Sequence, residues 1–289
     1  MATAVVDGIS TRYEIRGTGA PLLMFSPGGF DATLDKWTTI ASYSRIGLLD
    51  QLSRHFQCIV FDRRETGESA GRVEAVTWSH YVRQGVGLLE HLGIARAHVM
   101  GGCMGCSVAI AFGVAHPAAT LSLVLWWPVG GARYRINSHH RFAEHVAYVK
   151  EHGLDAVVAL AKSGDKSFGQ DPRGGPWVAV LRRDASFAAA YGRQNVDDYV
   201  RIVNDMGRWL VDRDTSPGAA PEELFGLTVP ALIVPGHDAT HATSAARYLE
   251  ECLPQAQYWD APVEEQTAQT APPRVLDFLR GAAAAAAIS

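Results

Sequence analysis

The segment Gly101-Gly102-Cys103-Met104-Gly105 constrains this chain more than any other. It follows the apolar run Ala97-His98-Val99-Met100 and precedes the small-residue stretch Ser107-Val108-Ala109-Ile110-Ala111-Phe112. The first reads as a buried strand and the second as a buried helix, so the five residues between them must form a tight strand-to-helix turn. Glycines allow such a turn because they tolerate unusual dihedrals and let neighbouring backbone come close. The turn places the Cys103 sulfur at a helix N-terminus, where the macrodipole favours a thiolate.

The rest of the chain supplies a sheet around that turn. Strands are expected at Ala4–Val6, Thr11–Ile15, Leu22–Phe25, Cys58–Phe61, Leu121–Trp127, Pro230–Val234 and Ala256–Trp259. Helices are expected over Ser44–Leu52, Trp78–Leu92, Thr243–Cys252 and Pro273–Leu279. In the second of these, Val82, Val86, Leu89 and Leu92 recur at helical spacing, and Gly93 stops the run. Strands alternating with helices predict an α/β architecture, a mostly parallel sheet covered on both faces. No buried strand is apparent between about Pro128 and Gly226. Residues 1–128 and 227–281 therefore read as one core, 129–226 as an inserted helical lid, and 282–289 as an alanine-rich tail of helix extension or disorder.

Composition excludes several classes of function. A net charge of −4 gives no reason to expect nucleic acid or an anionic membrane surface as a partner. No apolar run approaches the roughly 20 residues of a membrane span. Cys58, Cys103, Cys106 and Cys252 form no secreted disulfide framework, and the N-terminus has no signal-peptide pattern, so a cytoplasmic location is expected. Cys103-Met104-Gly105-Cys106 also reads as C-x-x-C, but its place after several earlier strands argues against a thioredoxin-like unit. His237 and His241 lack partner ligands nearby in sequence, so neither a metal nor another cofactor is expected.

Three segments in order resemble the α/β-hydrolase fold family over nearly the whole chain. They are the Gly101–Gly105 turn, Asp62-Arg63 with Gly67 and Ser69 after a strand, and Pro235-Gly236-His237-Asp238 after a late strand. The family's elbow is G-x-S-x-G, and here cysteine replaces serine. The resemblance implies Cys103 as nucleophile and Asp238 as the acid. It places the oxyanion donors on the backbone N–H groups of Met104 and of Gly29 or Phe30. The family's base histidine follows the last strand, yet no histidine follows His241. The corresponding stretch, Asp260 to Thr267, carries Glu264, Glu265 and Gln266 instead.

A cysteine softens that loss, because a free thiol of pKa about 8.5 is already a few per cent thiolate at neutral pH. Candidate bases are His241, His237, Glu264 and Glu265, with His241 favoured because it lies just beyond Asp238. The cluster of Arg133, Arg135 and His139, with Trp127 on the preceding strand end, suggests a small anionic and aromatic substrate. The expected activity is a Cys-dependent hydrolase of an ester, lactone, thioester or activated C–C bond. A lyase or decarboxylase without cofactor, and a non-catalytic small-molecule binding protein, are the alternatives. A homodimer is compatible with the sequence.

Overall fold

Apolar strands with few charged residues can be buried on both faces, and the core of this protein is built from them. The computed structural model describes residues 2–286. Its eight strands are β1 (Ala2–Val6), β2 (Ile9–Arg16), β3 (Ala20–Phe25), β4 (Phe56–Phe61), β5 (Ala97–Gly102), β6 (Thr120–Trp126), β7 (Ala231–Val234) and β8 (Ala256–Tyr258). They form one sheet in the order β1-β2-β4-β3-β5-β6-β7-β8. Only β1–β2 and β2–β4 pair antiparallel; every pair from β4 to β8 is parallel. All six residues of β5 and all four of β7 are buried, as central parallel strands require. β1 and β2 alternate buried and exposed positions at the edge of the sheet.

Before β5 lie α1 (Lys36–Thr39), α2 (Ala41–Ile46), α3 (Leu48–Leu52) and α4 (Trp78–His91). The single helix expected over Ser44–Leu52 is two helices, because Gly47 adopts φ 69 between them. Helix α5 (Gly105–Ala115) follows the elbow. Between β6 and β7 the chain inserts α6 (Ala132–Ser163), α7 (Val178–Arg183), α8 (Ala185–Gly192), α9 (Val196–Leu210) and α10 (Pro221–Phe225). Gly153 at φ 77 interrupts α6. The last two helices are α11 (Thr243–Cys252) and α12 (Ala271–Ala286). Helix α12 thus carries the core into the alanine-rich tail, of which residues 287–289 lie outside the described residues.

Two apolar clusters cover the two faces of the sheet. One joins Leu23, Phe25, Val99 and Leu125 to α4, α5 and the inserted helices. The other packs Leu22, Met24, Met100 and Val124 against Trp37, Leu49, Val275 and Leu279.

Helix α5 sits close enough to β3 that side chains cannot intervene. A Cβ on Gly105 would lie 2.3 Å from the Phe25 carbonyl oxygen, and one on Gly101 would lie 2.2 Å from the Gly105 carbonyl oxygen. Intrinsic helix propensity alone would favour Ala over Gly at position 105 by about 1 kcal/mol. The backbone clash opposes that gain and is expected to win, since overpacking a tight site costs about 1–3 kcal/mol. Gly105→Ala should therefore lower the urea unfolding midpoint. A raised midpoint would show that α5 can lift from β3 freely.

Candidate active site

Cys103 stands at φ 55, a left-handed conformation that a residue with a side chain adopts only when its surroundings impose it. Here the Trp126 carbonyl imposes it. That oxygen accepts the Cys103 N–H at 3.1 Å and the Cys106 thiol at 3.3 Å. Cys106 is fully buried and also donates to the Gly101 carbonyl, so it braces the turn from inside α5. Cys103 itself is half-buried and opens on a cavity of about 200 Å³.

The loop after β7 brings up a carboxylate and an imidazole together. Asp238 Oδ1 accepts the Thr240 and His241 backbone N–H groups at 2.7 and 2.9 Å, which closes a tight turn. Its other oxygen, Oδ2, is 2.8 Å from His241 Nδ1. One carboxylate therefore folds the loop and orients the ring. Three further contacts seat that ring. The Gly130 N–H donates to the Thr240 carbonyl at 3.1 Å. The Trp127 ring lies 6.0 Å from the imidazole, centroid to centroid. Gly236 leaves the room, since a Cβ there would lie 2.5 Å from that of His241.

His241 Nε2, the nitrogen turned away from Asp238, is buried and has no hydrogen-bond partner. The ring and the Cys103 thiol shift each other's ionisation. Burial alone would push the thiol up, but His241 and the backbone N–H groups of Gly28 and Met104 outweigh it and bring the thiol below its ordinary range. Burial likewise opposes a charged His241, yet Cys103 and Asp238 raise the ring to about 9. Both shifts favour a thiolate beside an imidazolium at neutral pH. Asp238 is drawn below its usual value despite partial burial, through its bonds from His241 and Thr240.

The oxyanion candidates Gly29, Phe30 and Met104 all line the cavity with Cys103. On the same loop as Gly29, the Gly28 N–H acts on the Cys103 sulfur itself. The φ of 117 at Gly28 signals a position that suits glycine.

Four expected substrate contacts lie elsewhere. On α6, Tyr134, Ser138 and Arg141 form the face that lines the cavity, at spacings of i, i+4 and i+7. Arg133 is exposed on another face, and Arg135 and His139 line an outer groove with Ile136 and His140. His139 spends its Nε2 on the Val211 carbonyl. Trp127 is buried behind His241 and supports the ring from outside the cavity lining.

Glu264 and Glu265 are exposed, and neither lines the Cys103 cavity. The buried residue of that stretch is Gln266. Its amide donates to the Pro235 and Ala261 carbonyls, both at 2.9 Å, and its oxygen accepts Trp127 Nε1 at 2.6 Å. All three bonds are structural. His237 is exposed and faces Thr243.

The imidazole is what brings the thiol down against the upward push of burial. His241→Ala should therefore move the pH midpoint of Cys103 alkylation by iodoacetamide upward, past that of an ordinary cysteine, and slow the reaction at pH 7 at least about tenfold. An unchanged midpoint would dissociate the ring from the thiol.

Comparison with known proteins gives the fold a wider setting. Residues 21–152 match the family model described as alpha/beta hydrolase fold. The dihydrolipoyllysine-residue acetyltransferase component of the acetoin cleaving system from Cupriavidus necator is 33% identical over 127 residues, which are 44% of this chain and 32% of that protein. The match thus spans about a third of that relative's length. Among solved structures, the enol-lactonase from Burkholderia xenovorans is 21% identical with a TM-score of 0.61, covering 96% of this chain and 100% of that one. A hydrolase from Pseudomonas aeruginosa is 22% identical with a TM-score of 0.63, covering 96% and 97%. A meta-cleavage product hydrolase from Pseudomonas fluorescens is 16% identical with a TM-score of 0.61, covering 98% of each chain. A mostly parallel eight-stranded sheet with a tight strand-to-helix turn after β5, alike over nearly the whole chain to these structures, makes this an α/β-hydrolase fold.

Proposed function

We propose that this protein is a thiol-dependent hydrolase that opens an ester, lactone, thioester or activated C–C bond through a covalent Cys103 intermediate. The observation that carries the reading is the Asp238–His241 pair, 2.8 Å apart, whose ring couples electrostatically to the Cys103 thiol. The hydrolases and lactonase that share the fold support the reading, while their substrates belong to those proteins.

The steps follow from the positions. The Cys103 thiolate attacks the substrate carbonyl, and the resulting oxyanion is held by the backbone N–H of Met104 and a donor of the Gly28–Phe30 loop. The His241 imidazolium returns its proton to the leaving group as the tetrahedral intermediate collapses to an acyl-thioenzyme. The ring is then neutral and accepts a proton from water, which attacks the acyl carbon and releases the acid with Cys103 restored. Asp238 holds the ring with Nε2 towards the sulfur throughout these steps.

Two outcomes are expected. With activated esters, intact mass should show one acyl adduct on the protein, absent in Cys103→Ala; a fully active alanine variant would refute the thiol mechanism. The pH profile of kcat/KM should lie flat through neutrality and fall above about 9, where His241 loses the proton the leaving group needs. A profile that instead climbs through the ordinary thiol range would mean that no ion pair forms.

A further inference from the structure

The Cys103 cavity has one cation in its wall and no acid. Arg141 lines it beside Tyr134 and Ser138, and none of the lining residues is Asp or Glu. Among the described residues Arg141 makes no ion pair, and its guanidinium makes no hydrogen bond. His241 already has Asp238 as its partner, so Arg141 is the charged group of the lining left to meet a ligand.

A second guanidinium lies behind the loop over the cavity. Arg63 is only 4% exposed, and its Nε and Nη1 have no hydrogen-bond partner. Its Nη2 donates to the carbonyl of Gly29, a residue of the cavity wall. No carboxylate lies within ion-pair distance of it among the described residues. Its charge rests on the Tyr81 ring at 4.4 Å. The neighbouring acid, Glu65, is instead bonded to Arg64 at 2.8 Å. Burying a guanidinium without a carboxylate is costly, so an anion arriving nearby is favoured. Cys103, Tyr134 and Arg141 line the same cavity, and Arg63 reaches its wall through the Gly29 carbonyl.

We infer that the cavity takes a short acyl group ending in a carboxylate, such as the half-ester or half-thioester of a small dicarboxylic acid. The carboxylate seats on Arg141, with Arg63 adding its charge from behind the Gly29 loop. The size fits, because about 200 Å³ is smaller than the roughly 300–1,000 Å³ of common ligand pockets. Tyr134, Val129 and Phe30 surround the methylene part of such a group. The proposal rests on Cys103 as the nucleophile, and it assigns the substrate's charge to Arg141 rather than to Arg133 or Arg135.

The test compares para-nitrophenyl hemiglutarate with para-nitrophenyl hexanoate, which lacks the carboxylate. The wild-type protein should favour the half-ester in kcat/KM by about tenfold or more, the scale of one charge-assisted hydrogen bond. Arg141→Gln should bring the ratio towards one, and Arg141→Lys should retain part of it as a point charge. A wild-type ratio near one, or a ratio unmoved by Arg141→Gln, would overturn the proposal. Intact mass separates this from failure of the thiol mechanism: if neither ester acylates Cys103, that mechanism falls. Protection of Cys103 from iodoacetamide then decides the subsite. Glutarate should protect where glutaramide does not, and Arg141→Gln should abolish the difference. No protection, or equal protection in the variant, would reject it.

Discussion

The close approach of α5 to β3 is the constraint on which the site depends. With hydrogen alone on Gly101 and Gly105, the helix sits against the Phe25 carbonyl and the turn between them is forced tight. Cys103 is then the residue driven to positive φ, and its sulfur is lifted clear of the sheet. The Trp126 carbonyl collects the Cys103 N–H and the Cys106 thiol, so β6 holds the turn from the other side. Trp126 also ends the strand from which Trp127 departs to support His241. The Cys103 turn and the backing of His241 are thus fixed by neighbouring residues of one strand end.

The imidazole proposed as the base is positioned by its own loop. Asp238 and His241 share one short loop, so the carboxylate that orients the ring also closes the turn that carries it. In the resembled family the histidine follows the last strand. Here that stretch offers Gln266, whose amide satisfies two backbone carbonyls and the Trp127 indole. A neutral, fully bonded side chain at that point keeps the loop after β8 in place, so in the proposed mechanism proton transfer falls to the loop after β7. Cysteine suits the arrangement, since a thiol needs less help to ionise than a hydroxyl does.

Much of this was legible in the sequence, for reasons that differ between elements. Buried parallel strands declare themselves as short apolar runs, so β3 to β7 stand near their expected places. The break at Gly47 was missed because a single glycine at positive φ leaves apolar periodicity intact on either side. Asp238 follows from the resemblance to the fold family, and His241 from its place three residues further along the same loop. The cavity face of α6 was not: a cluster of Arg133, Arg135 and His139 marks where charge is dense, and on a helix that is usually where solvent is. The buried residues Tyr134, Ser138, Phe142 and His145 carried the better signal, since they set the phase of the helix and bring Arg141 to the wall. Gln266 gave no usable sign, because a glutamine reads as a surface residue until its partners are known.

The central claim is that His241 is held protonated by Cys103 on one side and Asp238 on the other. Nitrogen-15 NMR of the labelled imidazole reports protonation at Nδ1 and Nε2 directly. The account predicts a ring charged at neutral pH that titrates near 9, and a marked drop of that midpoint when Cys103→Ala removes the thiolate. A ring that titrates near the ordinary histidine value of about 6.5 in both proteins would contradict it.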